Sequence, residues 1–194
     1  MASFNAIAAV SRAILHVLET NSAQTDFGKL DFEIYDINKF ESPMDQGFSL
    51  YLWRVTPSTT RRSLPPRREP DGRTFRPPLP VDLHFLLTPW AKDAEQQQRM
   101  LGWAMRQLED VVVLPAGILN HRAQPDTFGP HETVEIFCDA PALGDFLNLW
   151  DKLKTTLQTS VTYQARNVAI DSQLLWPEYA LVQKRESQAG AVLS

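Results

Sequence analysis

The chain has 194 residues, 43% hydrophobic and 22% charged, with a formal net charge of −4. That length suits one domain with a core large enough to fold alone, and the composition excludes a disordered chain. The acidic balance excludes a global attraction to nucleic acid or an anionic membrane, and a lone cysteine, Cys138, excludes an internal disulfide or a cysteine-rich zinc site.

Residues 3–20 read as a helix: Ile7, Val10, Ile14, Val17 and Leu18 make one apolar face, with Ser3 as its N-cap. The N-terminus is apolar only in this helical rhythm and has no basic leader, which predicts a cytoplasmic product. No run reaches the roughly 18 apolar residues of a membrane span. After a polar break at 21–28, Leu30, Phe32 and Ile34 alternate with Asp31, Glu33 and Tyr35, as in a half-buried strand. Ser42-Pro43 and Gly47 punctuate a loop before a second strand, Phe48 to Val55, rich in aromatic and branched residues.

The segment from Thr56 to Arg76 is different in kind. It holds Arg61, Arg62, Arg67, Arg68, Arg73 and Arg76 against only Glu69 and Asp71, with prolines and no apolar period. It reads as a long basic loop, either a solvated insertion or an arm that orders against carboxylates on a partner. Phe75 is its only aromatic residue, too few for base stacking along a nucleic acid.

The strand-turn-helix unit from Pro77 to Asp110 is the centre of the pattern. Val81, Leu83, Phe85 and Leu87 alternate with Asp82, His84, Leu86 and Thr88, a mixed second set that predicts cover on both faces. Pro77, Pro78 and Pro80 place the strand's start near Val81, and Pro89 its end. Asp93 with Gln96 resembles a capping box, and Met100, Leu101, Ala104, Met105 and Leu108 follow at helical spacing.

Val111 to Leu114 then leads to a turn at Pro115-Ala116-Gly117 and a short apolar patch at Ile118 and Leu119. A strand over 132–138 places Val134, Ile136 and Cys138 on one side. Pro141 suits the first turn of a helix carrying Leu143, Phe146, Leu147, Trp150 and Leu153. Val161, Tyr163 and Ala165 alternate, and Val168 and Ile170 continue out of phase, which predicts a bulge at Arg166-Asn167. From Ser172 no period remains, yet Leu174, Leu175, Trp176, Tyr179, Leu181 and Val182 are too apolar for a free tail. They pack on their own domain or on a neighbouring subunit. The expectation is an α+β or α/β domain over 1–171, with about five strands in a mixed sheet and about three helices. A long loop at 56–76 and a C-terminal extension at 172–194 complete it.

Signs of chemistry are few. Asp82 and His84 share a strand face but lack a nucleophile and read as scaffold or subunit contacts. Cys138 with His84 or His131 would make a thiol–base pair, but a lone cysteine in a strand pattern reads as a small core residue. The histidines at 16, 84, 121 and 131 have no metal-ligand spacing. There is no glycine-rich phosphate loop, GxSxG or HExxH. No catalytic residue, cofactor, metal or small-molecule substrate is expected.

Ser42-Pro43, Leu50-Tyr51-Leu52, PPLPVDLHFLLTPW at Pro77–Trp90, LGWAMRQL at Leu101–Leu108, LWDKL at Leu149–Leu153 and SVTYQARNVAI at Ser160–Ile170 occur in one order over most of the chain. In these blocks the chain resembles the tail-terminator or cap proteins of phage-tail-like contractile injection systems, through the domain of unknown function at their N-terminus. The resemblance implies a structural protein: a homo-hexameric ring, distal to the baseplate, that ends the inner tube and contacts the sheath. It also implies cytoplasmic assembly. In some systems two cap paralogues share the role. Arg61, Arg62, Arg67, Arg68, Arg73, Arg76, Trp176 and Tyr179 are the candidate partner contacts. The alternative is a stand-alone module whose arginine loop binds an acidic protein or RNA.

Overall fold

The computed structural model of the protein describes residues 2–60, 64–125, 127–153 and 155–177. Its strands are β1 (Asp31–Ile34), β2 (Gly47–Pro57), β3 (Arg67–Arg68), β4 (Thr74–Phe75), β5 (Leu79–Trp90), β6 (Val113–Pro115), β7 (Thr133–Cys138) and β8 (Val161–Ile170). Its α-helices are α1 (Ala6–Ser22), α2 (Ala94–Asp110), the single turn α3 (Ala116–Leu119) and α4 (Leu143–Lys152), with a 3-10 helix at Ile37–Glu41. Six strands form one mixed sheet in the order β1-β2-β5-β8-β7-β6, and β3 and β4 form a separate hairpin. The α+β expectation is met, with one more strand in the sheet and one more, very short, helix than the patterns suggested.

β5 lies between β2 and β8, and both of its faces are covered. Leu83, Phe85 and Leu87, none of them exposed, point into the larger core with Val10, Ile14 and Leu18 of α1 and Met100, Ala104 and Leu108 of α2. Alanines at 6, 9 and 13 let α1 approach closely. The opposite face carries Leu86 and Trp90 into a smaller aromatic core with Tyr35, Phe40, Trp150 and Leu153. There the Phe40 ring meets Tyr35 and Trp150 edge-on at 5.3 and 6.0 Å, and Trp90 Nε1 donates to Ser49 Oγ at 2.8 Å.

Several expectations need correction. β5 contains Pro80 and Pro89, although a central strand should exclude proline. The reason is overhang: pairing with β2 runs from Val81 to Trp90 and pairing with β8 from Leu79 to Leu87. Each proline therefore sits where β5 has one ladder neighbour, as an edge position permits. Helix α1 starts at Ala6, after Asn5, with no side-chain cap; the Ser3 hydroxyl instead accepts from the Asn5 N–H at 3.3 Å. By contrast, Asp93 does cap α2, accepting from the N–H groups of Glu95 and Gln96.

Position in the sheet decides two further exposures. Ile34 is 41% exposed because β1 is an edge strand. Cys138, expected in the core, is exposed at the end of β7. On α4, Trp150 is buried, but Leu143 and Leu147 are 72% and 46% exposed. β1 pairs in parallel with β2 at Asp31↔Gly47. A side chain at Gly47, whose φ is +153°, would place Cβ 2.0 Å from the Asp31 carbonyl oxygen, so only glycine lets the two strands close.

The bulge falls where the phase slip placed it. Between Val81 and Leu83 the partner strand advances from Val168 to Ala165, one residue more than β5 does. Asn167 takes a left-handed φ of 56°, and its N–H donates to Asp82 Oδ1 at 2.9 Å.

Candidate assembly surfaces and the arginine hairpin

The segment read as one long loop is partly built. β2 extends through its first two residues, and β3 and β4 close a hairpin with Arg67 opposite Phe75 and Arg68 opposite Thr74. The C-terminal segment adds a third rung. Leu175 bridges Phe75, Arg76 N–H donates to the Leu174 carbonyl at 2.9 Å, and Trp176 N–H donates to the Thr74 carbonyl at 2.7 Å. Loop and tail, considered separately in the sequence, are therefore one surface.

The arginines divide by role. Arg67 pairs with Glu69 and lies 3.3 Å from Asp171 Oδ2. Its guanidinium carbon stands 4.2 Å from the Phe75 ring centroid, so a cation–π contact holds the same group. Arg73 donates to Asp71 at 2.6 Å, and its guanidinium carbon also lies 5.6 Å from the centroid of that ring. The Arg73 backbone N–H and side chain together hold the Asp71 carboxyl below its usual range. Burial pushes the Asp171 carboxyl up, with Arg67 opposing. Arg68 and Arg76 are exposed and form no ion pair with a described residue. Trp176 is 42% exposed beside Leu174 and Leu175, at 62% and 56%. Arg61, Arg62 and Tyr179 lie outside the described residues.

Sequence reasoning missed the internal partners Glu69, Asp71 and Asp171. A hint was available in Glu69 and Asp71, each two residues from an arginine, but Asp171 is about a hundred residues away in sequence and gave no local signal.

The catalytic pairings are not assembled. Cys138 pairs with Tyr163, which pairs with Phe85. Cys138 therefore shares the face of Phe85, opposite to that of His84. His131 precedes β7 and Cys138 ends it, a separation of about 20 Å along an extended strand. Burial also pushes the Cys138 thiol up, away from the reactive thiolate. His84 sits between Thr56 (Nε2 to Oγ1, 3.4 Å) and Asp139 (Nδ1 to Oδ2, 3.7 Å), with its ring 5.6 Å from that of Trp53. Burial lowers its pKa, and Asp139 partly opposes this. Asp82 serves the bulge. The rings of His16 and His121 stack at 3.6 Å. Among the described residues no cluster could hold a metal ion, and no helix is long and apolar enough to cross a membrane.

Among solved structures, the chain is similar to a PVC sheath/tube terminator of an extracellular contractile injection system in its extended state. The TM-score is 0.59 at 16% identity, over 96% of this chain and 65% of that one. It is also similar to the tube-terminating cap of the anti-feeding prophage, with a TM-score of 0.58 at 14% identity, over 93% of this chain and 60% of that one. The likeness is one of fold, and the chain spans under two thirds of either cap. A comparison with curated proteins returned no match. The Pvc16 N-terminal domain model matches residues 9–184, and the chain belongs to that family.

Proposed function

We propose that this chain is a structural subunit of a terminator ring that ends the inner tube and meets the sheath of a contractile injection system. The observation that carries the reading is the shared fold, which covers 96% of this chain in a sheath/tube terminator. The ring is a homo-hexamer at the end distal to the baseplate, put together in the cytoplasm, and in systems with two cap paralogues the role is shared. Residues 1–171 form the domain and 172–194 the extension that meets its own hairpin or a neighbouring subunit. The working surfaces are those that project from the rigid sheet, Arg68, Arg76 and Trp176 among them, and the role is mechanical rather than catalytic.

Deletion of the gene tests this directly. The expected result is sheath–tube particles of uncontrolled length by negative-stain electron microscopy, restored to one length by the wild-type gene. An unchanged length distribution would refute the reading. The rival, a monomeric module gripping an acidic protein or RNA, is weakened because Arg67 and Arg73 already have internal carboxylate partners.

A further inference from the structure

Among the described residues nothing pairs with the outer edge of β1, and that edge is acidic. Residues 26–45 hold six carboxylates against two lysines, whereas 56–76 hold six arginines against two carboxylates. Two of those carboxylates are matched internally: Glu33 by Lys39 at 2.9 Å and Asp26 by Arg99 at 2.6 Å. Asp36 accepts from the Asn38 and Lys39 N–H groups at the start of the 3-10 helix. Asp31, Asp36, Glu41 and Asp45 are exposed and form no ion pair with a described residue. Among them lie Ile34 and Ile37, 41% and 45% exposed. The surface is an apolar centre with a carboxylate rim.

The hairpin is its converse. Leu174, Leu175 and Trp176 are exposed, and Arg68 and Arg76 flank them. Tryptophan and arginine beside apolar residues is the composition of an interface centre. The two surfaces cannot meet within one chain. Asp31 pairs with Gly47 at the start of β2, whereas the hairpin is held beyond its end: Arg67 lies 3.3 Å from Asp171, which follows the Ile170 that pairs with Leu79, two residues before the Val81 that faces Pro57. Ten residues of strand separate them by about 30 Å, several times the roughly 8–10 Å over which salt leaves exposed charges in contact.

We propose that the β1 edge of one copy receives the hairpin and the 174–176 segment of a second copy. Two different surfaces at opposite ends of the sheet make a heterologous, head-to-tail contact, which closes into a ring when the rotation permits. This deepens the terminator-ring reading and rests on it.

A mixing experiment tests it. One variant carries Arg68→Glu and Arg76→Glu; the other carries Asp31→Lys and Asp45→Lys. All four positions are exposed, so both variants should melt as the wild type does. Sedimentation velocity at low salt is expected to show an assembled wild type, each variant alone as a monomer, and assembly regained in an equimolar mixture, because copies then alternate with opposite charges facing. Added salt should weaken wild-type assembly. If the wild type assembles and either variant does too, or the mixture stays monomeric, this contact is overturned while the ring stands. If the wild type stays monomeric at every concentration tested, the ring reading falls, and this contact with it.

Discussion

From Pro80 to Trp90 every residue of β5 is buried except His84, which is half-buried, whereas no residue from Pro65 to Arg76 is buried. Both segments are strand-bearing and proline-rich. The first is held by packing on two faces, so its geometry survives prolines that local rules disfavour. The second is held by a ring near two guanidinium groups, three carboxylates and a few backbone bonds to a distant segment. A two- or three-stranded ribbon without a core of its own is marginal in water. The molecule thus keeps a packed platform and a lightly held projection, and the projection carries the concentrated positive charge.

Substitutions at the two places should behave very differently. Phe85→Ala leaves a cavity between α1, α2 and the sheet and should cost about 3–5 kcal/mol in denaturant unfolding. Arg68→Ala on the hairpin should stay within about 0.5 kcal/mol of wild type. Comparable losses at the two positions would abolish the distinction. Asp82→Ala strands the Asn167 N–H inside the bulge and should cost about 1–3 kcal/mol, with Asp82→Asn less harmful because it keeps an acceptor. Full stability in the alanine variant would mean the bulge needs no side-chain partner.

Phe75→Ala sharpens the other half of the comparison. It removes the ring that Arg67 and Arg73 flank. Global stability should fall by about 1 kcal/mol or less, while limited proteolysis should cut within 65–76 several-fold faster. Unchanged proteolysis would show that the hairpin does not depend on these ring contacts. The smallest effect concerns protons. Burial is the leading cause holding His16 and His84 below 6.5. The unfolded chain therefore takes up these protons first. The contribution of these two groups to stability should be level above about pH 6.5 and decline as the pH falls toward the lower folded values. Melting temperatures measured down the pH scale should show this, and His16→Gln with His84→Gln should flatten the decline.

Period and phase alone determined α2, α4, β2, β5 and β8, because a buried face repeats at the spacing of its element. Even the Arg166-Asn167 bulge was legible, as one residue out of step. The two-residue strands β3 and β4 have no period, and their third rung comes from Leu175, a hundred residues after Phe75. The full set of Arg67's partners depended on where Asp171 landed, and Cys138 and Ile34 read as core until strand order placed one at a strand end and the other on an edge. The segmental charges of 26–45 and 56–76 were countable from the start. That they cannot neutralise each other within one chain follows only from the length of β2 between them.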